Sequence, residues 1–171
     1  MDKKKEQKTA LEAAYAYLAN RMRTRAEVEK HLKEKGYSSD EADDALMELE
    51  SMRYIDDHQY ALRYYEYNRE KKRGVLRAER ELIEKGVSRE AARNAKEDFL
   101  YENNVDEYSD ALEIARREVF GPDDMSGGGG SAKELDDRLK AKIARKLESK
   151  GYEKGDIFRV LDALRRSLEE E

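Results

Sequence analysis

His31 and His58 are the only two histidines, and the chain has no cysteine. Imidazole and carboxylate are therefore the main ligands a metal site could draw on, and the catalytic inventory is thin. Asp56-Asp57-His58 brings three potential ligands together in sequence. Adjacent residues on a helix diverge, however, and a helix N-cap explains Asp56 more simply. Each histidine reads as an ordinary residue of a helix surface or boundary. Without thiols there are no disulfides, thiol nucleophiles or cysteine zinc sites, which suits a reducing compartment. No nucleophile elbow, Walker loop or zinc-binding helix is present. The Gly127–Gly130 run is not a phosphate cradle, since no Lys-Ser/Thr follows it and no strand precedes it. The expectation is a non-enzyme with no catalytic residue, metal or cofactor.

Charge is more informative. The chain carries 35 basic and 40 acidic residues, a net of -5. Yet residues 63–96 hold eleven Lys or Arg against six acids, and residues 138–150 hold six against Glu148 alone. The acids gather at 40–50, 102–113 and 169–171. Arg69, Lys72, Arg73 and Arg77 flank Gly74 and form one candidate contact cluster. Arg138, Lys142, Arg145 and Lys146 recur at helical spacing on one face and form a second. Two readings stand: solvated helix faces with internal ion pairs, or contacts to phosphates or an acidic protein surface. Tyr60, Tyr64 and Tyr67 line one helical face, with Tyr65 on a neighbouring one. Tyrosine suits interfaces, having a wide apolar ring and a polar tip. Packing between helical units is the alternative.

These residues have to be held by helices. Leu32-Lys33-Glu34-Lys35-Gly36-Tyr37, Leu82-Ile83-Glu84-Lys85-Gly86-Val87 and Leu147-Glu148-Ser149-Lys150-Gly151-Tyr152 share a pattern, with glycines 50 and 65 residues apart. Lysine suits the negative end of a helix dipole, and a left-handed glycine then stops the helix. Apolar columns extend from this anchor. Val28, Ala78 and Ile143 align upstream. Ala42, Ala92 and Ile157, then Ala45, Ala95 and Val160, then Leu49, Phe99 and Leu164, align downstream. Lys96 breaks the column of Leu46 and Leu161. Thr9 to Glu12, Thr24 to Glu27, Ser38 to Glu41 and Ser131 to Glu134 have capping-box spacing. Ser88, Asp56 with Gln59, and Asp106 are further N-caps, and Glu153 is a weaker one.

The spacing predicts helices over 10–22, 25–35, 39–52, 57–72, 75–85, 89–103, 107–120, 133–150 and 154–169. The expected fold is all-α, with three tandem three-helix repeats, helix-turn-helix-like, in an extended, curved array. Repeat one covers 1–53, repeat two 54–104 and repeat three 105–171, the last with a flexible Gly/Ser loop at 121–131. That loop fits an engineered linker and a natural glycine run equally. Units near 50 residues barely bury a core alone, so each is expected to lean on its neighbours.

Charged residues make up 44% of the chain and mean hydropathy is -1.09. Disorder is disfavoured because the charges nearly cancel and the apolar residues keep a helical period. No apolar run approaches the roughly 18 residues of a membrane span, and Met1-Asp2-Lys3-Lys4-Lys5 is not followed by a signal-like stretch. A soluble, cytoplasmic monomer is expected.

Ile55-Asp56-Asp57-His58-Gln59-Tyr60-Ala61, Arg69, Lys72-Arg73-Gly74, Glu81-Leu82 and Lys85-Gly86-Val87 together resemble the signature of the RecX family. The Gly36-Tyr37 and Gly151-Tyr152 units fit that family's three tandem repeats, over about residues 10 to 165. Ala78, the Gly/Ser loop and the acidic net charge depart from it. The resemblance implies a non-enzymatic regulator of RecA, acting in homologous recombination, DNA repair and the SOS response. It would bind the RecA–single-stranded DNA filament in its helical groove and suppress strand exchange and ATP hydrolysis. Direct DNA binding is expected to be weak because the chain is acidic. A helix-turn-helix DNA-binding protein and a helical scaffold for another protein are the alternative readings.

Overall fold

The computed structural model describes residues 8–121 and 134–169. Among them the fold is all-helical, with nine helices: α1 (Ala10–Leu18), α2 (Arg25–Glu34), α3 (Ser39–Ser51), α4 (Asp57–Glu70), α5 (Val75–Glu84), α6 (Arg89–Glu102), α7 (Glu107–Phe120), α8 (Asp137–Lys150) and α9 (Lys154–Glu169). They form a tandem three-helix repeat fold. No helix among the described residues is long and apolar enough to cross a membrane.

Local chemistry sets the helix starts. Thr9, Thr24 and Ser38 each make both halves of a capping box, with Glu12, Glu27 and Glu41 respectively. Asp56 accepts from the Gln59 amide at 2.9 Å and Ser88 from the Ala91 amide at 3.0 Å. Asp106 precedes α7 but makes no side-chain cap to the backbone, binding the Ser109 hydroxyl at 2.6 Å instead. Two helices are four residues shorter than their sequence spacing predicts. α1 stops at Leu18 rather than at 22, because Thr24 must be extended (ψ 158°) to cap α2 and the residues between form the connection. α8 starts at Asp137 rather than 133, because Asp136 takes the capping role and accepts from the Leu139 amide at 2.7 Å. Ser131 and the Gly/Ser stretch 126–131 lie outside the described residues.

The glycine stops are Schellman motifs. Gly36, Gly86 and Gly151 have φ of +91°, +85° and +89°. In each motif the glycine amide reaches back three residues and the next amide five, as in Gly151 to Glu148 (3.0 Å) and Tyr152 to Leu147 (3.2 Å). The same bond pair closes α3, α4 and α6, where the left-handed residue is Arg53 (φ 59°), Lys72 (φ 52°) or Asn104 (φ 44°).

Every residue in the five full repeat columns is buried, from Val28 and Leu32 at 0% exposure to Ile157 at 7%. Each such leucine or valine contributes about 1.5–3 kcal/mol of transfer free energy. Lys96, at the broken column, is only partly buried.

The contacts divide the chain into two compact units. The first holds residues up to Tyr64 together with Glu81–Glu97, and the second holds Tyr65–Arg80 together with residues from Asp98 on. In the first, Ala14, Val28, Leu32, Leu46 and Leu49 build the core of α1–α3. In the second, Ala111, Ala115, Val119, Ile143, Leu147 and Val160 build the core of α7–α9.

Each unit contains one copy of the same joint between consecutive repeats. In the first, the Arg25 amide opening α2 donates to Asp57 at 2.9 Å, and the buried Thr24 hydroxyl donates to the Lys85 carbonyl at 2.8 Å. In the second, the Val75 amide opening α5 donates to Glu107 at 2.7 Å, and the Gly74 amide donates to the Lys150 carbonyl at 2.9 Å. Arg25 and Val75, like Asp57 and Glu107, stand 50 residues apart, which is the spacing of Gly36 and Gly86. The backbones close tightly there. A Cβ on Gly86 would run into the Ala26 methyl, and one on Gly74 into the Gly151 carbonyl.

Candidate interaction surface

All eight candidate cations belong to the second unit. The joint just described brings their two clusters together. Gly74 and Leu76 donate their amides to the Lys150 and Gly151 carbonyls at 2.9 and 3.2 Å, which seats the α4–α5 turn on the C-terminus of α8. Lys150 Nζ donates to the Lys72 carbonyl at 3.1 Å, and Arg77 Nη1 reaches the Ser149 carbonyl at 3.4 Å. Burial, and then the charges of Lys146, Arg73 and Arg77, hold the Lys150 ammonium below the usual lysine range. The negative end of the α8 dipole partly offsets this repulsion.

Helix α7 supplies counter-charges to half of the group. Lys72 binds Glu113 at 3.0 Å and Asp110 at 3.3 Å, and these hydrogen bonds raise its pKa. Arg69 lies 3.9 Å from Asp110. Lys142 binds Glu118 at 2.8 Å and Lys146 binds the same carboxylate, drawing its pKa down to about 2. Arg73, Arg138 and Arg145 have no carboxylate partner among the described residues; Arg145 Nε donates to the Ala141 carbonyl at 3.2 Å. Arg138, Lys142 and Arg145 share a shallow groove with Leu139, Glu134 and Asp136. The surface is thus a cationic ridge whose lysines Lys72, Lys142 and Lys146 are anchored by acids of α7.

The tyrosine row does not act as one element. Tyr60 is 9% exposed, and its ring stacks 6.2 Å from that of Tyr64 in the first unit. The Tyr64 hydroxyl donates to Glu81 at 2.6 Å. Tyr67, in the second unit, is 48% exposed, with the Lys71 ammonium 5.6 Å from its ring centroid. Tyr65 is core, stacked on Phe99 at 5.6 Å.

The sequence run that suggested a metal has structural work. Ile55 is buried, Asp56 caps α4, and Asp57 closes the joint, its pKa pushed up by burial despite the Arg25 amide. His31 stacks on Tyr17 at 3.8 Å, with the Arg23 guanidinium 4.1 Å from that tyrosine's centroid. No group of three or more potential metal ligands exists among the described residues. Lys150 joins the cationic ridge without having been a candidate by sequence. Its membership needs the contact with the α4–α5 turn, which helical spacing does not reveal.

Residues 10–49 match the family model of the RecX first three-helix domain. The regulatory protein RecX of Halalkalibacterium halodurans is 31% identical over 140 residues, covering 81% of this chain and 48% of that protein. The regulatory protein RecX of a Geobacillus species is 28% identical over 165 residues, covering 96% and 56%. The chain spans about half the length of the curated relatives it matches. The crystal structure of RecX from Lactobacillus salivarius superposes with a TM-score of 0.73 at 22% identity, covering 91% of this chain and 94% of that one, a likeness of fold.

Proposed function

The chain belongs to the RecX family, and we propose that it is a non-enzymatic regulator that binds the RecA–single-stranded DNA filament and restrains strand exchange and ATP hydrolysis. The observation that carries this reading is the meeting of Arg73, Arg77, Lys146 and Lys150 at one corner of the second unit. Burial and the neighbouring positive charges hold the Lys150 ammonium down, an anion at this corner relieves the repulsion, and the filament's DNA offers phosphates. Arg69, Lys72, Lys142 and Tyr67 border this corner in the proposal, while Arg138 and Arg145 extend it along α8. Tyr60 and Tyr64 pack within the first unit and stand as separate contact candidates in this proposal. The setting proposed is cytoplasmic, and the working species a monomer without a cofactor.

The test is inhibition of RecA strand exchange and sedimentation with preformed filaments. Two double variants are compared with wild type: Arg73→Glu with Arg77→Glu, and Arg138→Glu with Arg145→Glu. Lys30→Glu in the first unit, which parts an exposed pair with Glu34 at 3.9 Å, is the control. Both double variants should keep their helical signal and weaken filament binding by about tenfold at low salt. Wild-type behaviour from both would refute the cationic contact. Equal binding to duplex DNA without RecA, with a steep salt slope, would favour a DNA-binding protein instead.

A further inference from the structure

The first unit carries a surface of the opposite character. Tyr15, Met52 and Tyr54 are contiguous. The Tyr15 hydroxyl lies 3.3 Å from Met52 Sδ, and its ring meets Tyr54 edge-on with centroids 5.0 Å apart. Met52 and Tyr54 are 51% and 58% exposed. Asp44, Glu48 and Met52 stand four residues apart along α3 and its cap, so they form one row. Glu48 is near enough to help raise the Tyr15 phenol, after burial and Tyr54. Helix α3 contains six acids and no lysine or arginine. Arg25 takes Glu50 at 3.1 Å and Asp43 at 3.7 Å, and Glu41 is spent in the capping box. Asp44 and Glu48 have no cationic partner among the described residues. Arg53 is the one cation between Met52 and Tyr54 in sequence.

We propose that this patch docks a basic protein surface that presents an apolar side chain at its centre. Exposed methionine adapts to such a side chain, and two aromatic rings give it area at small entropic cost. Asp44 and Glu48 select for lysine or arginine around it and repel phosphate, so a nucleic acid is the wrong occupant. The proposal rests on the filament reading above, and it assigns this patch to the filament's protein component. The second unit then contributes attraction that salt screens, and the first unit contributes burial that salt leaves intact.

The experiment measures binding of the full chain to preformed RecA filaments and to bare single-stranded DNA, at low and high salt. Met52→Ala with Tyr54→Ala should weaken filament binding about fivefold or more at both salts and leave binding to bare DNA unchanged. Asp44→Lys with Glu48→Lys, an exposed pair that leaves the core intact, should weaken filament binding mainly at low salt and strengthen binding to bare DNA. If both variants bind filaments like wild type while the Arg73/Arg77 reversal weakens binding, the patch proposal is overturned and the regulator reading stands. If wild type fails to bind filaments, both fall.

Discussion

Arg53, Lys72 and Asn104 hold left-handed backbones, a conformation that costs a residue with a Cβ about 1–2 kcal/mol. Their helices end in the same bonds as the glycine-stopped ones, so the motif outlasts the residue that advertises it. This separates what the sequence makes visible from what it does not. Gly36, Gly86 and Gly151 mark three helix ends plainly, because glycine takes positive φ without penalty. Nothing in Arg53 or Lys72 signals the other ends; the chain turns there because flanking apolar residues, Leu49 and Ile55 among them, are already buried. Arg53→Gly should therefore raise stability by about 0.5–1 kcal/mol, read as a higher melting temperature. Lys72→Gly should not, since it forfeits the pairing with Asp110 and Glu113. Gly86→Val should lower stability by more than about 1 kcal/mol, combining a β-branched residue at φ +85° with the clash against Ala26. An unchanged melting temperature for Gly86→Val would count against the tight joint.

At the scale of the element, Glu107 is the residue to follow. Burial raises its pKa to about 7 despite the stabilising Val75 amide, and Asp156, Glu153 and Asp110 add repulsion. Its folded value then lies above its unfolded one, so the folded chain holds the extra proton between about pH 4.5 and pH 7. Stability from this group is greatest below that window and falls as pH rises through it, by an amount on the order of 2–3 kcal/mol. Glu107→Gln keeps an acceptor for the amide and removes the charge. Thermal unfolding should show the wild type losing stability from pH 5 to pH 8 and the variant losing much less. The donor can be tested separately. Val75 is the first residue of α5, where proline fits a helix without breaking it. Val75→Pro deletes the amide hydrogen and should destabilise the second unit by about 1–3 kcal/mol through an unsatisfied carboxylate. Neither residue of this pair stood out by sequence, since an acid opening a helix reads as a dipole partner for its own helix. The helices themselves and their buried columns were legible, because capping and periodicity are local.

For the whole molecule, an acidic chain gathers a cationic corner on the second unit and an acid-rimmed apolar patch on the first. The basic segments were legible as counts of lysine and arginine; their meeting was not, because it depends on Gly74 approaching Gly151. The split predicts a two-part salt response. Filament affinity should fall steeply at first as salt rises, then level off, and the Arg73/Arg77 reversal should remove the steep part alone. A slope that stays uniform to high salt would mean the first unit contributes nothing. The joint between repeats has a consequence of another kind. Its donating half is a main-chain amide, present whether the residue is Arg25 or Val75, and its accepting half is an acid 32 positions onward, Asp57 or Glu107. Gene duplication that copies a whole repeat thus copies the fastening with it. Point mutation can then rewrite nearly every exposed side chain before the copies lose their grip on each other.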